Sequence, residues 1–188
     1  ETDNIVWTEP DDFPLKDLQH RVLSLHLDSA AQQGHSSRGA WRNDAELFAT
    51  QQLKMALMEL GIQGEDIMLL AAYALQADRV GGISVTSSQG SECRVVIYTV
   101  ASYAPAEEAN GRLSLRGDTM NTAVTRGQSI VFIVADCMAI KRHVPMEFGT
   151  RKLLNSCPVI PARILIDLLQ PKPSSVEHLD HLLATEYK

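Results

Sequence analysis

The stretch DIMLLAAY, residues 66–73, contains after Asp66 an unbroken apolar run with the length of one β-strand. Apolar runs without polar alternation are typical of strands covered on both faces, as in parallel sheets. ISVTS (83–87), RVVIYTVA (94–101) and SIVFIVAD (129–136) repeat the pattern, whereas RVLSLHL (21–27) alternates and is predicted to be the first strand. The β-branched residues in these runs favour strand over helix. The chain is therefore predicted to build a buried, mainly parallel sheet.

Helical signals stand between these strands. In RNDAELFATQQLKMALMELG, Asn43 is a suitable N-cap, and Glu46 three residues later is placed to reach back and complete a capping box. Leucines at helical spacing predict a helix over 44–60. Two further helices are predicted within 145–157 and over 162–169. Strands that alternate with helices predict an open α/β sheet with right-handed crossovers.

The remaining segments predict how the domain is bounded. Residues 1–20 are polar and are predicted to be an extended lead-in, and 21–170 suit a single domain of ordinary size. A long loop is predicted over 102–119. Residues 171–188 are predicted to be a linker and a short amphipathic helix, which would begin at 176. That helix (176–188) is a candidate surface for a protein partner.

Composition narrows the function classes. The chain has 188 residues, of which 45% are hydrophobic and 21% charged, so a packed core is expected. A net charge of −6 means that any nucleic-acid contact is local or shared with another domain. No apolar run is long enough to predict a membrane span.

The isolated Cys93, Cys137 and Cys157 argue against disulfides and zinc, and favour a cytosolic or nuclear location. The histidines show no metal-binding pattern, so no metal site is predicted.

The segment MNTAVTRG, residues 120–127, places Arg126 directly before a buried strand. A lone arginine in such a position often only pairs with a carboxylate. Here Ala123 and Val124 can pack a short helix against the sheet, and Thr125 offers a hydroxyl. Arg126 would then project from a rigid element, as an arginine finger requires, because a planar permanent cation stabilises a transferring phosphoryl group.

The segment SVTSSQGSE, residues 84–92, precedes the strand at 94–101. Gly90 lets the backbone approach a ligand closely. Glu92 can accept hydrogen bonds from ribose hydroxyls, and Gln89 can fix the loop. Taken alone, these residues equally suit a polar turn between two strands.

Together the two segments resemble motifs V and VI of superfamily 1 helicases, in the branch of the nonsense-mediated-decay, senataxin-like and nidovirus helicases. Motif V of that branch reads roughly S-V-D-x-x-Q-G-x-E, and its matches here are Ser84, Val85, Gln89, Gly90 and Glu92. Motif VI reads roughly L-N-V-A-L-T-R-A-[RK], and its matches are Asn121, Ala123, Thr125 and Arg126. Upstream, RNDAEL resembles the family's N-x-x-E, and Tyr73 and Gln76 stand where its Y-x-x-Q has Tyr and Gln. The resemblance spans roughly residues 22–140.

The resemblance implies a RecA-like fold of the P-loop NTPase type and a role as the second lobe of an ATP-dependent RNA or DNA helicase. It implies that Arg126 is the arginine finger and that Gln89, Gly90 and Glu92 contact ATP. The residues implied to lie near single-stranded nucleic acid are Tyr73, Gln76, Thr86, Ser87, Ser88 and Thr125. The chain has no G-x-x-x-x-G-K-[ST], so ATP and Mg²⁺ would be shared with a first RecA-like lobe that carries this loop. The fragment alone is expected to be inactive.

Several positions depart from the family pattern. Ala71-Ala72 replaces the Thr-Pro that the family has before its tyrosine, and Thr86 replaces its motif V aspartate. Asp118-Thr119 replaces the arginine pair that usually precedes motif VI, and Gln128 replaces the basic residue two positions after the arginine finger. Each change removes polarity or positive charge, and lost phosphate contacts weaken nucleic-acid binding. Two alternatives therefore stay open. One is a degenerate helicase-like domain that binds protein partners, and the other is an unrelated doubly wound domain that binds a small nucleotide or another ligand.

Overall fold

The protein is described by a computed structural model, which covers residues 14–15, 21–28, 33–35, 41–101, 114, 116–143 and 149–169. Its strands are β1 (Val22–His26), β2 (Gln33–His35), β3 (Trp41–Asn43), β4 (Ile67–Ala71), β5 (Ile83–Ser84), β6 (Cys93–Thr99), β7 (Gly127–Ala135) and β8 (Val159–Pro161). Its helices are α1 (Asp44–Glu59), α2 (Ala74–Val80), α3 (Gly117–Val124), α4 (Cys137–His143), α5 (Gly149–Ser156) and α6 (Ala162–Leu169). Short 3₁₀ turns span Gly64–Asp66 and Thr86–Ser88.

Six of these strands form one sheet in the order β5–β4–β6–β7–β1–β8, and every neighbouring pair is parallel. Along β6, Val95 and Ile97 belong to the core layer of α1 and α6, whereas Val96 and Tyr98 belong to the layer of α3, α4 and α5. The central strands are thus covered on both faces, which explains their unbroken apolar runs. The predicted fold class is confirmed: it is an open parallel α/β sheet with helices on both faces, consistent with a RecA-like fold.

The strand predicted over 83–87 is shorter than expected. The strand β5 ends at Ser84, and the 3₁₀ turn of Thr86–Ser88 follows. The Ser84 hydroxyl accepts a hydrogen bond from the Ser87 backbone N–H at 3.2 Å, and the Ser88 hydroxyl donates to the Val85 carbonyl at 2.8 Å. These local bonds compete with the strand ladder and end it.

The other predicted elements differ mainly at their ends. The predictions for 44–60 and 162–169 are confirmed as α1 and α6, and that for 145–157 is confirmed in part as α5. The loop prediction over 102–119 is wrong at its end, because α3 begins at Gly117. The hairpin of β2 and β3, together with α2, α4 and β8, was not predicted, since these elements are too short for a clear periodic pattern.

The lead-in, apart from residues 14–15, and the segment 171–188 with its predicted helix lie outside the described residues. Among the helices that the structure describes, none combines the length and the apolar character needed to cross a membrane.

Candidate functional site

The segment from Gln89 to Glu92 and the residue Arg126 meet at the edge of the sheet where the parallel strands β6 and β7 begin. The segment leads into β6 and Arg126 directly precedes β7, and these two strands are parallel neighbours. The backbone N–H of Cys93 donates to the Arg126 carbonyl at 2.9 Å, which joins the two segments where the strands begin. Two stretches about thirty-five residues apart in the chain therefore form one continuous surface.

The Arg126 side chain is half-buried and is held by oxygen atoms that carry no formal charge. Its Nε donates to the Thr122 carbonyl at 3.3 Å, its Nη1 to the Ser91 carbonyl at 3.3 Å and its Nη2 to the Thr125 hydroxyl at 3.4 Å. Within the described part of the chain, Arg126 forms no ion pair. The backbone therefore orients the guanidinium without neutralising it.

Gln89, Gly90 and Glu92 present an open surface next to this arginine. Gly90 has a φ of +79°, in the left-handed region that favours glycine, and a Cβ placed there would meet no atom within 4 Å. The side chains of Gln89 and Glu92 are exposed and form no hydrogen bond or ion pair with the described residues. The amide and carboxylate are therefore available to a ligand.

A groove of about 220 Å³ runs beside this surface, between α3 and the segment that follows β5. Its lining residues are Val85, Thr86, Gln89, Arg116, Asp118, Thr119 and Thr122. Thr122 belongs to both places, because it lines the groove and its carbonyl accepts the Nε–H of Arg126. This role of Thr122 was not predicted, although its position four residues before Arg126 is the spacing of one helical turn.

The two charged residues of the groove bind each other. Arg116 donates from Nε to Asp118 Oδ1 at 3.1 Å and from Nη2 to Oδ2 at 2.5 Å. Through this pairing Arg116 lowers the pKa of the Asp118 carboxyl, so Asp118 is ionised at neutral pH. The side chain of Asp118 also accepts the Thr119 backbone N–H at 2.8 Å, near the start of α3.

The residues implied to contact nucleic acid fall into accessible and buried groups. Thr86, Ser87 and Thr125 are exposed, and Tyr73 is half-buried with its hydroxyl 3.5 Å from the Ser114 hydroxyl. Ser88 is fully buried, and its hydroxyl donates to the Val85 carbonyl. The interpretation of Ser88 as a nucleic-acid contact is therefore wrong for its side chain, which stabilises the turn instead.

Gln76 also departs from its predicted role. It is fully buried, and its Oε1 accepts the Asn43 backbone N–H at 3.0 Å. Its Nε2 donates to the Asn43 carbonyl at 3.2 Å and to the Thr99 hydroxyl at 3.1 Å. Both ends of its amide group are bonded inside the protein, so Gln76 connects α1, α2 and β6, and its side chain is not accessible to a nucleic-acid strand in this structure.

Glu46 does not complete the predicted capping box. Asn43 caps α1 as expected, since its side chain accepts the Glu46 backbone N–H at 3.2 Å, but the Asn43 N–H is bonded to Gln76 instead. The buried Glu46 carboxylate accepts hydrogen bonds from the Thr99 hydroxyl and, at 2.8 Å, from the Ala101 backbone N–H. Ala101 has a φ of +65°, so Glu46 stabilises a left-handed backbone conformation directly after β6.

The remaining reactive groups near the site do not indicate other chemistry. Burial raises the pKa of the half-buried Cys93 thiol, so this thiol is protonated at neutral pH and is a poor nucleophile. Among the residues that the structure describes, no cluster of three histidine, cysteine or acidic side chains could hold a metal ion.

Two comparisons with known proteins were negative. No protein-family model matches the chain, and a search of curated proteins finds no match to its sequence.

Proposed function

We propose that this chain supplies the second RecA-like lobe of an ATP-dependent helicase that acts on single-stranded RNA or DNA, with Arg126 as its arginine finger. The observation that carries the proposal is the setting of Arg126, which is oriented by the Ser91 and Thr122 carbonyls and has no carboxylate partner among the described residues. Such a guanidinium keeps its full charge for a phosphate group across a cleft.

The residues at this edge fit one wall of an ATP site. Glu92 is exposed and can accept hydrogen bonds from ribose hydroxyls, and the open space at Gly90 leaves room for a ligand against the backbone. Arg126 would face the terminal phosphate. Bound MgATP would supply the phosphoryl group. The phosphate loop would belong to a first lobe, because this sequence has no G-x-x-x-x-G-K-[ST], and the Mg²⁺ ligands are proposed to belong to that lobe as well.

The accessible residues of the predicted nucleic-acid track remain part of the proposal. Thr86 and Ser87 follow β5, Tyr73 follows β4, and Thr125 neighbours Arg126. The hydroxyl groups of Thr86, Ser87 and Tyr73 can donate to phosphate oxygens and to sugars without adding positive charge. The Thr125 hydroxyl already donates to the Thr122 carbonyl at 3.1 Å, so it is left to accept from a sugar hydroxyl. We therefore expect this lobe to bind nucleic acid with a low affinity that depends little on the salt concentration.

The test is the ATPase rate of the full-length protein that carries both lobes, compared with its Arg126→Ala variant. We expect kcat to fall about 10³-fold or more, because the charge of the transition state loses its partner. Arg126→Lys should not restore the rate, since lysine lacks the planar fork of donors. Arg79→Ala is the matched control, because Arg79 is exposed on α2 and outside the site. An Arg126→Ala protein that keeps most of the wild-type rate would refute the assignment.

A second candidate function is a helicase-like scaffold that binds protein partners. The observation in its favour is an apolar surface on α1, where Phe48, Met55 and Met58 are 67%, 55% and 46% exposed. Exposed apolar patches are typical of interaction surfaces. If the full-length wild-type protein neither hydrolyses ATP nor can be photo-crosslinked to an azido-ATP probe, the scaffold is the better explanation.

A further inference from the structure

The groove between α3 and the segment after β5 has an unusual charge balance for a surface proposed to lie near nucleic acid. Among its lining residues, Arg116 is the sole cation, and its guanidinium is already bonded at two points to Asp118. A phosphate group would have to break this pair and would lie beside a carboxylate of the same charge. The groove therefore disfavours the phosphate part of any ligand.

The same groove is rich in neutral groups that both donate and accept hydrogen bonds. The Thr86 hydroxyl and the Gln89 amide are exposed and make no hydrogen bond with the described residues. The Thr122 hydroxyl uses its hydrogen on the Asp118 carbonyl at 2.8 Å, which leaves its oxygen free to accept. Asp118 adds a carboxylate that can only accept. This set of groups complements a polyhydroxylated ligand.

We propose that the groove binds a ribose and recognises its 2′-hydroxyl through Asp118, Thr86 and Gln89. The inference rests on the proposed helicase function, which brings a sugar to this edge of the sheet. A 2′-hydroxyl can donate to the carboxylate of Asp118 and accept from the Gln89 amide or the Thr86 hydroxyl, and a deoxyribose can do neither. The volume of about 220 Å³ is smaller than a typical drug-sized pocket and suits a sugar.

The ribose can come from two sources, an RNA strand or the ATP molecule. Thr86, Arg116 and Asp118 line the groove, whereas Thr122 also contacts Arg126 at the proposed phosphate site. Two assays distinguish the sources. Fluorescence anisotropy of the full-length protein compares oligo(U) RNA with oligo(dU) DNA of equal length, and steady-state ATPase assays compare the KM for ATP with that for dATP.

We expect the wild-type protein to prefer the ribo form about tenfold in at least one comparison, which is the effect of one hydrogen bond to a charged acceptor. Asp118→Asn and Thr86→Val should each bring that ratio towards one. The ratio is the readout because Asp118→Asn also frees Arg116, which should strengthen binding to RNA and DNA alike. Asp78→Asn, an exposed aspartate on α2, is the control that should keep the wild-type ratio.

The outcomes separate this inference from the function on which it rests. Equal affinity for the ribo and deoxy forms in both comparisons overturns ribose recognition but leaves the helicase proposal standing. A ribo preference that neither Asp118→Asn nor Thr86→Val changes overturns the assignment to this groove. A full-length protein that binds neither strand and hydrolyses neither nucleotide overturns the inference and the helicase proposal together.

Discussion

Two pairs of glutamine and glutamate lie at opposite edges of the sheet, one where the strands begin and the other where they end. One pair is exposed and the other is buried. Gln76 and Glu46, near the end of β6, are fully buried and hydrogen-bonded to backbone and side-chain groups. Gln89 and Glu92, before β6 begins, are exposed and make no side-chain hydrogen bond with the described residues. All four belong to motifs that suggested a helicase, yet only the second pair can reach a ligand.

The difference follows from what each edge of the sheet requires. Where β6 ends, the Ala101 N–H and the Thr99 hydroxyl lie in the interior, and buried polar groups that lack partners are costly. Glu46 and Gln76 supply those partners. At the other edge the backbone from Gln89 to Glu92 is partly open to water, so its side chains are not needed for internal bonds. Three comparisons of matched variants test this distinction.

The largest effect is expected for Glu46→Ala, with Glu92→Ala as its matched variant. Loss of the Glu46 carboxylate leaves the Ala101 N–H and the Thr99 hydroxyl without their acceptor, and we expect the free energy of unfolding to fall by about 3 kcal/mol. Glu92→Ala should change it by less than about 0.5 kcal/mol, as is typical of surface substitutions. Urea denaturation of both variants measures the difference. Equal losses of stability would contradict the distinction between the two edges.

A smaller effect of the same kind is expected for Gln76→Ala. This variant leaves the Asn43 backbone groups without the amide that bridges them, and should lower the free energy of unfolding by about 2 kcal/mol. Gln89→Ala should leave stability unchanged and raise the KM for ATP in the full-length protein. Chemical denaturation and steady-state kinetics give the two readouts. A stable Gln76→Ala protein with weakened nucleic-acid binding would restore the original interpretation of Gln76.

The smallest effect concerns two residues with positive φ, Gly90 at one edge and Ala101 at the other. Gly90→Ala should lower the free energy of unfolding by about 1 kcal/mol through backbone strain alone, because no atom obstructs the new methyl group. Ala101→Gly should be neutral or slightly stabilising, since the relief of strain is offset by a more flexible unfolded chain. Thermal denaturation compares them. A loss of stability in Ala101→Gly as large as that in Gly90→Ala would show that Ala101 is not strained.

The sequence predicted the long strands and the first helix, but not the turn after β5 or the burial of individual polar side chains. The strands β4, β6 and β7 and the helix α1 were predicted because their signals are local, namely unbroken apolar runs and a capped periodic pattern. The turn after Ser84 was missed because serine hydroxyls compete with the strand ladder, an effect that a β-branched run conceals. The motif spacing correctly grouped Arg126 with the segment before β6, but it could not show that Gln89 is exposed whereas Gln76 is buried.

The sequence by itself determined the parallel α/β class and the start of α1, because apolar runs and capping residues act on their own neighbourhood. Only the tertiary structure decided which polar side chains are accessible. The contacts of Arg126 with Ser91, of Glu46 with Thr99 and of Gln76 with Asn43 join residues distant in the chain. Such contacts depend on the order in which strands pair, and burial then determines whether a polar group supports the fold or faces a ligand.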